Sequence, residues 1–323
     1  MRRVRYHEYG EPEVLTLEEA DIPTPGPGQV RIRAEAIGAN FVDTKLRRGP
    51  ASGPLFVRPL PAVLTGDVVG TVDAVGPDVD VEIGRRVASL AEDAFADYVV
   101  ADAQWLAPVP DGLDLGAASM LPMGAPVALR ALRTGQLAKN ETVLIHAAAG
   151  GIGHLAVQLA KLLGAGLVVA TASSPSKLDF ARACGADVGI DYTDPDWPDQ
   201  VRAVAPQGVD VVLESAGGEI LRQSIDLLAP FGRVVMYGAA SGQLIDLPVR
   251  SLFALKSLAG FSLLAWRAAS PAQARQEMTE IADYFTDGRL HTTAHASLPL
   301  TEAAQAHRLL ESRATLGRVL LLP

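Results

Sequence analysis

Cysteine is almost missing from this chain: Cys184 is the single one among 323 residues. One thiol excludes an internal disulfide framework and any cysteine-based structural zinc site. It also fits a reducing, cytoplasmic compartment. No stretch approaches the roughly 20 consecutive apolar residues that a membrane-spanning helix needs, so no membrane association is expected. A secretory leader is not expected either: Arg2, Arg3 and Arg5 lead into Tyr6-His7-Glu8-Tyr9-Gly10, where an apolar core would be required. Basic charge is neither in excess nor clustered. The net charge is −9, and Arg2-Arg3, Arg47-Arg48 and Arg85-Arg86 are isolated pairs. They read as ordinary solvated charges, and a nucleic-acid partner is not expected. There is no internal repeat and no low-complexity segment.

What the chain does have is apolar material: 49% of its residues are hydrophobic and 20% charged, enough for large buried cores. The first third reads as short strands cut by turns. Pro23-Thr24-Pro25-Gly26-Pro27-Gly28 precedes Val30-Arg31-Ile32-Arg33-Ala34, whose period-2 alternation marks a half-buried strand. Val68-Val69-Gly70-Thr71-Val72, Ala74-Val75-Gly76, Gly84-Arg85-Arg86-Val87-Ala88 and Phe95-Ala96-Asp97-Tyr98-Val99-Val100 continue it. Such a series predicts a small barrel or rolled sheet.

Near residue 115 the pattern changes. Residues 115–121 and 127–132 read as helices, followed by a strand at Val143-Leu144-Ile145-His146. Strands at Leu167-Val168-Val169-Ala170, Val188-Gly189-Ile190-Asp191, Val209-Asp210-Val211-Val212-Leu213 and Arg233-Val234-Val235-Met236-Tyr237 follow, separated by helices such as 153–163 and 177–184. Strands apolar on both faces and separated by helices predict an α/β, doubly wound parallel sheet. Helices at 272–286 and 301–312 and a strand at Val319-Leu320-Leu321-Leu322 close the chain. Those last sixty or so residues are too few for a comfortable domain and are expected to rejoin the N-terminal one.

The strongest chemical signal is Val143-Leu144-Ile145-His146-Ala147-Ala148-Ala149-Gly150-Gly151-Ile152-Gly153. A strand, a tight turn of small residues and a helix start follow in the order of a dinucleotide fingerprint, with Ala148, Gly150 and Gly153 at its three glycine positions. Small residues, with Gly151 and Ile152 between, let backbone N–H groups approach a pyrophosphate at the helix N-terminus. Specificity is set after the next strand, where an NAD site usually carries an acid. Here the chain reads Ala170-Thr171-Ala172-Ser173-Ser174-Pro175-Ser176-Lys177. No carboxylate repels a 2′-phosphate, and Ser173, Ser174 and Lys177 offer hydroxyls and an ammonium, so NADPH is expected. The two serines also read as the cap of the helix carrying Lys177.

Together with Gly38-Ala39-Asn40-Phe41-Val42-Asp43, Asp67-Val68-Val69-Gly70-Thr71-Val72, Phe95-Ala96-Asp97-Tyr98-Val99, Gly185-Ala186-Asp187, Asp191-Tyr192 and Gly317-Arg318-Val319, these segments resemble the zinc-independent quinone oxidoreductases of the medium-chain dehydrogenase/reductase superfamily. The likeness covers essentially the whole chain. It implies a GroES-like, β-rich catalytic domain from both chain ends (1–122 and 264–323), a Rossmann domain between them (123–263) and an active-site cleft. It also implies a homodimer paired through the last Rossmann strand near Leu258-Ala259-Gly260-Phe261, and puts Tyr192 and Arg318 beside Lys177 at the adenosine phosphate. By themselves Tyr192 reads as a strand-end tyrosine and Arg318 as a surface charge. Zinc relatives of the superfamily carry a ligand cysteine where Asn40 stands, a His-Glu pair at Gly66-Asp67, and a four-cysteine lobe where Ala88 to Ala94 stand. No zinc is therefore expected.

Without a Lewis acid, hydride delivery to a substrate that delocalises its own charge is the natural chemistry, a quinone or another conjugated carbonyl. The resemblance puts the Asn40 amide near the nicotinamide or substrate; the alternative is a cap on the helix from Phe41. Asp43 reads as a structural carboxylate at that helix start. Lys45 and Pro50-Ala51 stand where relatives supply pocket tyrosines, and Gly124-Ala125-Pro126-Val127 replaces Gly-x-Thr-Ala. Lys45 is a candidate proton donor or anchor for an anionic substrate, or a solvated lysine. Tyr237, with Gly238, ends a strand that faces the nicotinamide or simply packs there. An enoyl reductase for a polyketide-like or enone substrate is the competing activity, and an NADPH-binding protein with little turnover the competing class.

Overall fold

The alternation in Val30-Arg31-Ile32-Arg33-Ala34 becomes the first half of a long strand, Gln29–Ala39, around which the first unit is built. The computed structural model describes residues 1–243 and 245–323. In it the chain divides into two units, one of Met1–Met123 with Arg275–Pro323 and one of Gly124–Ala274. The second boundary falls inside the helix Pro271–Thr286, so the helix Leu263–Ala269 belongs to the nucleotide-fold unit.

In the first unit, sheet order runs Ala294–Pro299, Arg318–Leu322, Gln29–Ala39, Gly66–Val75, Arg86–Ala91, Ala107–Pro108, and Tyr98–Asp102 also pairs with Gln29–Ala39. Register shifts at Arg31/Ile32 and Ala34/Ala36 bend the long strand. Its first half pairs with Tyr98–Asp102 and its last residues, Ile37 and Gly38, with Leu321 and Leu320. The C-terminal strand therefore completes the N-terminal sheet. Val30, Ile32, Ile37, Val68, Phe95, Val319 and Leu321 fill the core. The two short strands expected at 68–72 and 74–76 are one, Gly66–Val75.

A second, three-stranded sheet of Leu15–Glu19, Arg2–Tyr6 and Ala62–Val63 uses the arginine-rich N-terminus. Val4 and Tyr6 are buried while Arg2 and Arg5 pair with Asp97 and Asp93. The adjacent charges Arg2-Arg3 break the alternation that would mark this strand in sequence. Arg47 departs from the expected solvated role. It is wholly buried, donating to the Gly10 carbonyl at 2.6 Å and to Nδ1 of His307 at 3.2 Å, and pairing with Glu311.

The second unit is an all-parallel six-stranded sheet ordered Val188–Asp191, Leu167–Ala172, Thr142–Ile145, Val209–Glu214, Leu228–Met236, Ser257–Gly260. In chain order this is 3-2-1-4-5-6, the doubly wound arrangement whose ligand crevice lies at the carboxyl ends of the strands. Val143, Leu144, Val168, Val169, Val211 and Val212 are fully buried, as strands covered on both faces require. No helix among the described residues is long and apolar enough to cross a membrane.

Candidate active site

The turn after Thr142–Ile145 folds tightly because one residue accepts unusual geometry and a glycine allows close packing. Ala147 takes a positive φ of 50°, and the Gly150 N–H donates to its carbonyl at 2.9 Å. Gly153 then opens the helix Gly153–Leu162 against this turn. A Cβ on Gly153 would lie 2.2 Å from the Ala147 carbonyl oxygen and 2.8 Å from the Ala148 Cα, so only glycine fits. Ala148 is buried and donates to the Thr171 carbonyl at 3.0 Å, while Gly150, Gly151 and Ile152 are half-buried. Ile152 at the N-cap has no side chain able to cap, so no side chain covers this helix N-terminus, although the His154 N–H donates to the Gly150 carbonyl at 3.1 Å.

Behind the turn lies a network that the sequence did not announce. His146 is buried, its Nδ1 is 2.8 Å from the Thr171 hydroxyl, and its Nε2 is 2.8 Å from the Ser224 hydroxyl. Ser224 donates its one proton to the Ile220 carbonyl at 2.7 Å. Its oxygen must therefore accept from Nε2–H, and Nδ1 accepts from Thr171. Burial holds the imidazole neutral, lowering its pKa to about 4, and Trp197 packs edge-on at 5.4 Å. The network fastens the carboxyl ends of two adjacent strands to the helix Gly218–Asp226.

The next strand, Leu167–Ala172, ends in Ala172, Ser173 and Ser174. Ser174 is the N-cap of the helix Pro175–Ala183, but its hydroxyl makes no capping bond and instead lies 3.2 Å from the Ser176 hydroxyl. The expected capping role is thus not the one its side chain takes. Lys177 is in the first turn of this helix, and Tyr192 is brought alongside by its N–H, which donates to the Ala172 carbonyl at 3.1 Å. No carboxylate lies between Thr171 and Lys177.

Two strands further, Glu214 is fully buried, and its carboxylate accepts from Ala216 N–H at 2.6 Å and Gly217 N–H at 2.9 Å. Burial raises its pKa, and those backbone donors partly offset the rise. Tyr237 donates its N–H to the Glu214 carbonyl at 2.9 Å, with Gly238 following. Burial pushes the Tyr237 phenol up to about 12, partly offset by a hydrogen bond with Ser215. The turn at Ala148–Gly153, the serines, Tyr192, Ser215 and Tyr237 thus share the carboxyl edge of one parallel sheet.

In the first unit the expected site residue Asn40 is 5% exposed and stands at the N-cap of the helix Phe41–Arg48 without capping it through its side chain. Its Oδ1 instead accepts from Arg318 Nη1 at 2.9 Å. Arg318 is itself buried. It pairs with fully buried Asp67 through Nη2, reaches the Ala39 carbonyl from Nη1 at 3.3 Å and the Ser119 hydroxyl from Nε at 3.3 Å. The guanidinium lies across Gly38, where a Cβ would fall 1.7 Å from Nη2. Arg318 is therefore not a surface charge: its Nε, Nη1 and Nη2 all donate inside its own unit. Asp67 and Ser119 are partners that sequence reasoning missed, although a carboxylate amid Val68-Val69 signals a buried cation somewhere.

Lys45, one turn into the helix Phe41–Arg48, is half-buried, with Nζ 5.7 Å from the Phe41 ring centroid. Burial lowers its pKa, and Arg313 and Arg48 lower it further. Asp43 is fully buried and accepts from the Thr65 N–H at 2.8 Å and hydroxyl at 2.6 Å. Burial raises its pKa to about 7, partly offset by those bonds. Among the described residues, no group of three or more His, Cys, Asp or Glu is placed to hold a metal ion.

Two family models match the chain: an alcohol dehydrogenase GroES-like domain over residues 26–111 and a zinc-binding dehydrogenase over residues 151–282. A quinone oxidoreductase of Pseudomonas aeruginosa is 35% identical over 330 residues, covering 100% of this chain and 99% of that protein. The chain belongs to the quinone oxidoreductase family of the medium-chain dehydrogenases/reductases. As a member it is an oxidoreductase. A second family relative, a 2-haloacrylate reductase of a Burkholderia species, is 36% identical over 332 residues, 98% of this chain and 97% of that protein. Mycobacterial Rv1454c, solved in complex with NADPH, superposes with a TM-score of 0.93 at 33% identity over 100% of both chains.

Proposed function

We propose that this chain uses NADPH to reduce a conjugated carbonyl compound, a quinone or an enone, without zinc. The observation that carries this is the Arg318 guanidinium clamped between Asn40 and Asp67. Asn40, Gly66 and Asp67 stand where zinc relatives carry ligands. The two oxygen donors among them are already turned toward a fixed cation, which repels a second one. A zinc ion does not fit this donor set. With no metal to polarise an isolated alcohol or ketone, the acceptor must carry the incoming charge on its own conjugated oxygen.

The cofactor fits the second unit. The cradle that Gly153 keeps open, with Ala148, Gly150, Gly151 and Ile152, receives the pyrophosphate on backbone N–H groups. Ser173, Ser174, Lys177 and Tyr192 hold the adenosine 2′-phosphate, and the missing carboxylate favours NADPH over NADH. Tyr237 and Gly238 border the nicotinamide side. NADPH, when bound, supplies a hydride. Asn40 donates from Nδ2 to the substrate carbonyl oxygen, where negative charge develops. Lys45 supplies the proton that completes the reduction or holds an anionic substituent of the substrate.

Reduction of a C=C bond is supported as well as reduction of a quinone. The 2-haloacrylate reductase, whose name describes an acceptor with an activated C=C bond, is as similar as the quinone oxidoreductase. The chain also works as a homodimer in this account. Ser257–Gly260 is the outer strand of its sheet, and Phe231, Val249, Phe253 and Leu255 are 57–78% exposed in the segments beside it. An unpaired edge flanked by apolar side chains is an association surface.

NADPH oxidation is to be followed with benzoquinone, then with an enone and an enoyl thioester, before and after treatment with a strong chelator. Turnover of at least one acceptor, insensitive to the chelator, is expected. Tight NADPH binding without turnover of any acceptor would instead favour a binding protein.

A further inference from the structure

The Asn40 carboxamide has two ends, and which one meets the substrate decides what it can do. Arginine can only donate, so the atom of Asn40 that faces Arg318 Nη1 at 2.9 Å is the oxygen. The two Nδ2 hydrogens are then directed away from the guanidinium. The guanidinium cannot turn: Asp67 takes Nη2, the Ala39 carbonyl shares Nη1, Ser119 takes Nε, and Gly38 supplies the bare backbone on which it lies. Asp67 and Arg318 are 251 residues apart, on the strands Gly66–Val75 and Arg318–Leu322 that flank Gln29–Ala39, the strand leading into Asn40. A buried ion pair of this kind is weak evidence for stability but fixes geometry.

We propose that Arg318, held by Asp67, is a positioning residue that fixes the Asn40 amide as a one-way donor toward the substrate carbonyl oxygen. This rests on the placing of Asn40 at the substrate. Its fixed positive charge also polarises the amide, strengthening the donor as charge develops on that oxygen. No contact of Arg318 with NADPH is needed.

The test is a double-mutant cycle of Asn40→Ala and Arg318→Lys, with kcat, KM and the NADPH dissociation constant measured for each variant. Lysine keeps the charge beside Asp67 but loses the forked geometry that grips Asn40. Asn40→Ala should lower kcat about 100-fold, the loss typical of one oxyanion donor. Arg318→Lys should lower kcat about ten-fold in the parent and hardly at all beside Asn40→Ala, because its effect passes through the amide. The NADPH dissociation constant should stay within about two-fold throughout, less than the loss of a charged phosphate contact would produce.

An unchanged kcat for Asn40→Ala would remove Asn40 from the substrate and so overturn the proposed function of that residue. A normal effect of Asn40→Ala with equal losses from Arg318→Lys in both backgrounds would overturn the positioning role alone. A selective rise in the NADPH dissociation constant on Arg318→Lys, absent with NADH, would return Arg318 to the adenosine phosphate. Asp67→Asn with Arg318→Met, a neutral pair, gives the same readout without an unpaired buried charge. It should match Arg318→Lys or exceed it, and a wild-type kcat in that pair would refute the proposal.

Discussion

Replacing His146 by Gln should remove a specific part of the acid sensitivity of the nucleotide-fold unit. The imidazole is held neutral with a pKa near about 4, against about 6.5 in an unfolded chain. Between those values the unfolded state binds a proton that the folded state refuses, so stability falls as pH falls from about 6.5 toward about 4. Integrating over the interval from pH about 7 to about 5 gives a loss of about 2 kcal/mol from this one group. Glutamine reaches the same two hydroxyls, donating to Ser224 and accepting from Thr171, but does not titrate in this range. Glu214 works in the opposite sense, because its raised pKa favours the folded state on acidification. Only the difference between parent and variant therefore isolates the imidazole. Urea unfolding followed by tryptophan fluorescence suits this, since Trp197 packs edge-on against His146. The parent should lose about 2 kcal/mol more than His146→Gln over that pH interval. Equal losses would mean that His146 is not the buried neutral strut the geometry describes.

Gly153→Ala should raise the NADPH dissociation constant about ten-fold, because its Cβ meets main-chain atoms of the turn rather than a yielding side chain; fluorescence titration reads it. Lys177→Ala should weaken NADPH about ten-fold and leave NADH nearly unchanged, as loss of a charged phosphate contact requires. Lys45→Met should lower turnover with the preferred acceptor while leaving NADPH binding intact, and unchanged kcat and KM would end its catalytic role. Phe253→Asp should convert the proposed dimer to monomer in sedimentation, since it puts a charge into the apolar surface beside Ser257–Gly260.

The parallel sheet was legible because its strands are buried on both faces and stand out as unbroken apolar runs, as in Val209–Glu214. The turn at Ala148–Gly153 was legible because small residues between a strand and a helix have one common structural use. Arg318 was misread for a physical reason. Its position at a strand end is visible in sequence, but its partner Asp67 lies 251 residues away and nothing local links them. Arg47, paired with Glu311 at a separation of 264 residues, reads in sequence as a solvated charge for the same reason. His146 was invisible as a strut because its two partners come from a neighbouring strand and a helix, at separations of 25 and 78 residues. Ser174 shows the converse error: an N-cap position was evident, but whether its hydroxyl caps depends on a rotamer the sequence does not carry.

Transfer of deuterium from NADPH carrying deuterium at both nicotinamide C4 positions tests the central claim most directly, with chelator-treated protein and an enone acceptor analysed by mass spectrometry. The account predicts one deuterium in the product, at the β-carbon when an enone is reduced, at a rate unaffected by the chelator. Product without label, or activity that disappears with the chelator and returns with zinc, would contradict it.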